Sequence, residues 1–299
     1  MYAVMRIRLV ALGLLAASCA AFAQEKAPEF ARVDYDADER PRALQMSVAS
    51  YVPAAGDRLL QVDLIGAIHI GDPAYYAELN ERFRDYDVLL YELIAPQGGA
   101  GSNRLEKRKG ILSSTQIGMT KMLDLSFQLD EINYDAANFV HADLTPDELR
   151  ASMEERGESL YVYFWRIFFA TLNEYAKDPL GLRDMQMLSG MLASGEDDSF
   201  KIMIAYEMTN LDSVEEMLGD DSSNAVIGAR NQRAVDVLRR EIAAGAKRIG
   251  IFYGVAHMPD MEERLLEQLE LSWESTDWVD AWQLGDGERG TPRKNLDNL

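Results

Sequence analysis

Gly66-Ala67-Ile68-His69 and Gly254-Val255-Ala256-His257 each close an apolar, strand-like run, Leu59–Ile65 in the first case and Arg248–Tyr253 in the second. After each histidine come an apolar residue (Ile70, Met258), a turn with Pro and Asp (Gly71-Asp72-Pro73, Pro259-Asp260) and a segment of helical periodicity. The order strand, GxxH, turn, helix is therefore written twice, and it holds two of the chain's three histidines. This pattern predicts an α/β fold in which a strand–GxxH–helix unit occurs twice, and the outer strands over 44–52 and 271–284 make its central sheet a mixed one. In open α/β sheets ligands bind beyond the carboxyl ends of the strands, which makes His69 and His257 candidate site residues.

Around the first copy, Leu44–Val52 alternates apolar and polar side chains, as a half-buried strand does, and Pro53–Arg58 is a turn into the strand that leads to Gly66. Asp72 is placed to cap the next helix, with Pro73 at its first position. Tyr75, Leu79 and Phe83 then recur at helical spacing, and Asp87–Leu93 reads as a second central strand ending near Glu92. Pro96–Asn103 is Gly-rich but lacks the phosphate-loop pattern. Leu105–Leu129 reads as mostly helical. His141 and Asp143 stand just before a helix start at Thr145-Pro146, with Glu148 at the capping-box position. Aromatic residues crowd 161–169, and 182–193 and 199–218 read as helices. Ser222 or Ser223 is expected to cap a helix over 224–244 that carries Arg230-Asn231 and ends at Gly245. Beyond the second motif come a helix over 261–269 and a closing hairpin over 271–284 with Trp273, Trp278 and Trp282.

Residues 1–23 have the pattern of a secretory signal: Arg6 and Arg8, an apolar stretch from Leu9, and Ala21-Phe22-Ala23 as cleavage site. Export to the periplasm or beyond is the expectation; a lipid anchor on Cys19 ranks second. Cys19 is the only cysteine, so the processed chain would have no disulfide, thiolate ligand or Cys nucleophile. It offers no further apolar stretch long enough to be a transmembrane helix. The formal net charge of −20 argues against nucleic-acid or anionic-membrane partners. A peptide or small-molecule substrate is the expected partner. We therefore expect an arm over 24–43, one α/β domain over 44–284 with a helical insertion at about 105–220, and a disordered tail over 285–299.

If the strands before His69, Glu92 and His257 are neighbours, two imidazoles and a carboxylate converge and would hold a divalent metal with positions open for water. Arg230 and Asn231 would stabilise an oxyanion, and His141 with Asp143 would supply a further ligand or an acid–base pair. Gly66 and Gly254 would let substrate or backbone approach closely. Each residue also has a structural reading. An ion pair between Glu92 and Arg230 would explain both, His141 would cap a turn, and Tyr253 would pack within its strand.

Gly66-Ala67-Ile68-His69, Tyr91-Glu92, Arg230-Asn231 and Gly254-Val255-Ala256-His257 occur in the order seen in the TraB/PrgY/GumN family, which the chain resembles over roughly residues 60–284. That family includes the Tiki membrane-tethered metalloproteases and resembles, more distantly, the erythromycin esterases and the haem-binding ChaN-type lipoproteins. The resemblance implies two related halves with both motifs facing one cleft, and an exported hydrolase acting on a peptide or an ester. In Tiki-like members this goes with metal-dependent cleavage; in the esterase relatives a histidine and a glutamate serve without an obligatory metal. It implies a site of His69, Glu92, Arg230, Asn231 and His257. The alternative is a non-catalytic protein that binds haem, a metal or a peptide.

Overall fold

The structure is a computed structural model and describes residues 29–56, 58–95, 125–156, 198–209 and 225–285. The signal segment, the Gly-rich loop, the aromatic run at 161–169, the helix at 182–193, the tail beyond 285 and most of the helical insertion lie outside the described residues. The helix expected from 224 with a serine cap instead begins at Gly228, with Ile227 at its N-cap and no side-chain cap.

The strands, in chain order, are β1 (Ala31–Tyr35), β2 (Pro41–Pro53), β3 (Gln61–Ala67), β4 (Ile70–Gly71), β5 (Val88–Tyr91), β6 (Ser126–Phe127), β7 (Phe139–His141), β8 (Arg248–Gly254) and β9 (Leu271–Gln283). The helices are α1 (Pro73–Phe83), α2 (Gln128–Glu131), α3 (Pro146–Glu155), α4 (Asp198–Thr209), α5 (Gly228–Ala244) and α6 (Met258–Leu269). Among the described residues they form a mixed α/β fold with a seven-stranded central sheet and a two-stranded ribbon of β4 and β6.

β3, β8, β5 and β7 lie side by side and parallel. The near-continuous apolar runs of β3, β5 and β8 are buried along most of their length, as strands covered on both faces must be, while β7 at the edge is half-buried. β2 and β9 extend this block antiparallel. β9 takes one edge of β2 over its whole length, so β1 and β3 share the other edge end to end.

The chain connects β3 to β5 through α1, but these strands are not neighbours: β8 lies between them. The second GxxH strand thus stands between the first and the strand leading to Glu92. Phe252 of β8 packs on Phe83 of α1 with ring centroids 4.9 Å apart. At Gly250 on β8 a Cβ would stand 2.5 Å from Leu89 Cδ1, so the central position of β8 depends on a residue without a side chain.

Four other local readings differ from the sequence expectations. Residues 31–35, expected within an irregular arm, form β1, where Arg32 bonds Gln45 and lies over the Trp278 ring. Residues 271–283 are one long strand rather than a hairpin, because β2 offers a partner over the entire length. Ser126–Phe127, read as helical, pairs with Ile70–Gly71. Asp72 stands at the N-cap of α1 without a side-chain cap; its carboxylate accepts from the Gln283 amide and pairs with Lys201. The Thr145–Glu148 capping box and the Gly245 helix stop form as expected.

Candidate functional site

Because β3, β8, β5 and β7 are parallel, the residues that follow them gather at one edge of the sheet. These are His69, His257, Glu92 and, after β7, Asp143. α5 then brings Arg230 and Asn231, both buried, against this edge.

Arg230 is the hub. Its Nε and Nη2 hold Asp143 at 2.9 and 2.6 Å, and Nη2 also holds Glu92 Oε1 at 2.6 Å. Nη1 donates to His257 Nε2 at 3.2 Å and to the Val226 carbonyl at 3.5 Å. All five guanidinium N–H groups are therefore committed, and no donor is left for an oxyanion. One positive charge serves two carboxylates, so the trio keeps one net negative charge.

Glu92 is anchored at both oxygens, since Gly254 N–H donates to Oε2 at 2.6 Å. A Cβ on Gly254 would come within 3.2 Å of that oxygen, so this glycine admits the carboxylate. Burial disfavours the Glu92 charge, but in acid the protonated His257, with Arg230 and the Gly254 amide, outweighs it and brings the carboxyl down to about 2. A protonated His69 would add a smaller pull in the same direction.

His257 is buried and locked. Its Nδ1 stands 2.7 Å from Asn231 Oδ1, an acceptor only, so Nδ1 carries the proton and Nε2 accepts from Arg230. Asn231 Nδ2 donates to the His257 carbonyl at 2.9 Å and to Asp260 at 2.7 Å, and Asp260 in turn is clasped by Arg264. Burial, ahead of the opposing charge of Glu92 and the like charge of Arg230, pushes the imidazole down to about 4. His257 is neutral at neutral pH, which leaves Arg230 and the Gly254 amide to hold Glu92 ionised. The buried Asn231 amide is thus engaged by His257 and Asp260.

His69 differs in every respect. Its side chain is exposed, and Nδ1 lies 3.3 Å from Gln128 Oε1. Its Nε2 has no hydrogen-bond partner among the described residues. The loop under it is nevertheless fixed, because four of its carbonyls are bonded. Tyr75 and Tyr76 hydroxyls reach Gly66 and Ile68, the Gln128 amide reaches His69, and the Trp282 indole reaches Ile70.

The remaining candidates have structural partners. His141 Nε2 donates to the Leu93 carbonyl at 2.6 Å and Asp143 is held by Arg230, so the acid–base pair expected of these two is not formed. Tyr253 donates to the Ala142 carbonyl at 2.6 Å. A Cβ on Gly66 would meet the Phe30 carbonyl at 3.5 Å, so Gly66 faces packed backbone rather than a ligand.

A divalent metal on His69, Glu92 and His257 would need Glu92 Oε1 and His257 Nε2 to share it. They lie 3.7 Å apart, but the Arg230 guanidinium bonds both, so the cation position between them is already filled. No group of three His, Cys, Asp or Glu among the described residues is arranged to hold a metal ion. As arranged, the trio does not fit a metal.

Sequence reading passed over Gln128, Tyr134, Asp260 and Arg264. For the last two a signal existed, since acid and base four apart on a helix form a pair. For Gln128 there was none, because its link to His69 arises from the β4–β6 ribbon. Among the described residues no helix is long and apolar enough to cross a membrane. Comparison of the chain with protein-family models, curated proteins and solved structures gives no match.

Proposed function

We propose that the chain is an exported hydrolase of the TraB/GumN type, with two related halves, that cleaves a peptide or an ester using His69 as general base and Glu92 as its electrostatic partner. The observation that carries this reading is an exposed imidazole whose Nε2 has no hydrogen-bond partner among the described residues, on a loop held by four bonded carbonyls, at the same carboxyl end of the parallel strands as the Glu92 carboxylate. His69 Nε2 would take a proton from water as the water attacks the carbonyl carbon, and would return it to the leaving nitrogen or oxygen as the tetrahedral adduct collapses and the C–N or C–O bond breaks. The resulting imidazolium would be stabilised by Glu92, which the Arg230 guanidinium and the Gly254 amide prevent from taking that proton itself. Arg230, Asp143, Asn231 and His257 form the scaffold that fixes Glu92. The guanidinium between Glu92 and His257 favours this version over metal-dependent cleavage.

The test is hydrolysis of a panel of peptides and esters by the wild-type protein, His69→Ala and Glu92→Gln, with and without a chelator. Activity that survives chelation and is lost in both variants is expected. No hydrolysis by wild type sinks the enzyme reading, and activity abolished by chelation restores the metal. The same unbonded Nε2 supports a second reading, in which the protein binds haem, a metal or a peptide without turnover. That reading predicts a Soret band on haem titration that disappears in His69→Ala.

A further inference from the structure

His69 is the exposed histidine, yet an exposed imidazole ordinarily rotates and exchanges its proton between two nitrogens. A base that must present Nε2 needs the proton held on Nδ1. Gln128 is placed to do this. It is buried, at 6% exposure, and it grips His69 twice. Its backbone amide donates to the His69 carbonyl at 3.0 Å, and its side-chain Oε1 stands 3.3 Å from Nδ1. The β4–β6 ribbon sets this register, since Ile70 faces Phe127 and the next pair outward is His69 with Gln128. The amide cannot turn freely either, because its Nε2 donates to the Tyr134 hydroxyl at 2.8 Å. Tyr134 is itself buried and packs edge-on against Tyr91, the residue before Glu92, with centroids 5.3 Å apart.

We propose that Gln128 is the positioning residue of His69, backed by Tyr134: its side-chain carbonyl keeps the proton on Nδ1 and so aims the Nε2 lone pair outward. This deepens the hydrolase reading and rests on it for its purpose, though the tautomer can be measured without any activity. Tyr134 would thus link the orientation of His69 to the strand end that carries Glu92, with neither Gln128 nor Tyr134 touching substrate.

The experiment is 15N NMR of histidine-labelled protein at a pH where His69 is neutral. The chain has only three histidines, so His69→Ala identifies the signal. Wild type is expected to show the Nδ1–H tautomer at His69. Gln128→Met should shift it towards the Nε2–H form that free imidazole prefers, Gln128→Glu should keep the wild-type tautomer, and Tyr134→Phe should give a mixture. Where turnover is measurable, Gln128→Met should lower kcat by roughly ten- to a hundred-fold with little change in KM, as loss of an orienting partner does, and Gln128→Glu should restore most of it. A wild-type His69 protonated on Nε2, or a tautomer unchanged in Gln128→Met, overturns the proposal. An Nδ1–H tautomer in a protein with no hydrolytic activity would leave this positioning role standing while removing the hydrolase reading.

Discussion

The two GxxH motifs are alike in sequence and opposite in environment. β3 and β8 are adjacent and parallel, but their register pairs Gly66 with Tyr253 and Ala67 with Gly254, one residue out of step with the motif. After β3 the chain forms the short β4 and leaves His69 exposed; after β8 it turns through a single 3-10 turn and buries His257. Among the described residues His69 Nε2 has no hydrogen-bond partner, whereas His257 has both nitrogens engaged. Two histidines after two strands are thus not two equivalent ligands. One presents an exposed imidazole and the other holds a charged cluster together.

Replacing each histidine tests this contrast most directly. If His69 is a general base, His69→Ala should lower kcat by a factor on the order of 100 to 10,000 while moving stability by no more than about 0.5 kcal/mol, as an exposed substitution does. His257→Ala should instead cost about 1–3 kcal/mol by leaving Asn231 and Arg230 groups unpaired. Denaturant unfolding and steady-state kinetics on both variants would reverse the assignment if His69→Ala proved the destabilising one.

Arg230→Leu is expected to destabilise the protein by about 3–5 kcal/mol, since it leaves the Glu92 and Asp143 charges buried without their partner. Equilibrium unfolding measures this, and a near-neutral result would mean that the cluster is not built around the guanidinium.

The two motifs should also differ in pH response. His257 is pushed by burial from its ordinary 6.5 to about 4. Between those values the unfolded chain binds a proton that the folded one refuses, so stability falls as pH drops through this window. Glu92, held at about 2 against an ordinary 4.5, extends the loss to lower pH. Thermal midpoints from pH 7 to pH 4 should decline in wild type and flatten in His257→Gln, but keep their slope in His69→Gln.

The smallest effects belong to the glycines. Gly254→Ala presses a methyl against Glu92 Oε2 at 3.2 Å and should cost about 1 kcal/mol, near the net value of one hydrogen bond. Gly66→Ala meets its nearest neighbours at 3.5 Å and should stay within about 0.5 kcal/mol. Unfolding of the two variants side by side checks the difference.

Local signals in the chain already carried much of this arrangement. Apolar runs marked β3, β5 and β8, the Thr145–Glu148 box marked the start of α3, and Gly245 marked the end of α5, because periodicity and capping act over a few residues. The convergence of Glu92, Arg230 and His257 was also legible, as was the ion pair between the first two. Long-range pairing was not. Nothing in Arg248–Gly254 says that this strand inserts between β3 and β5, and nothing in Ala31–Tyr35 says that it finds an edge of β2.

The sequence determines which residues stand at strand ends, since side-chain pattern and turn chemistry are local properties. Only the tertiary structure decides that Arg230 occupies the gap where a metal was expected and that Gln128 faces His69. Those partners lie 138 and 59 residues apart along the chain. What joins them is which strands share an edge and which helix lies over it, a choice made by burial of the whole sheet rather than by any one segment.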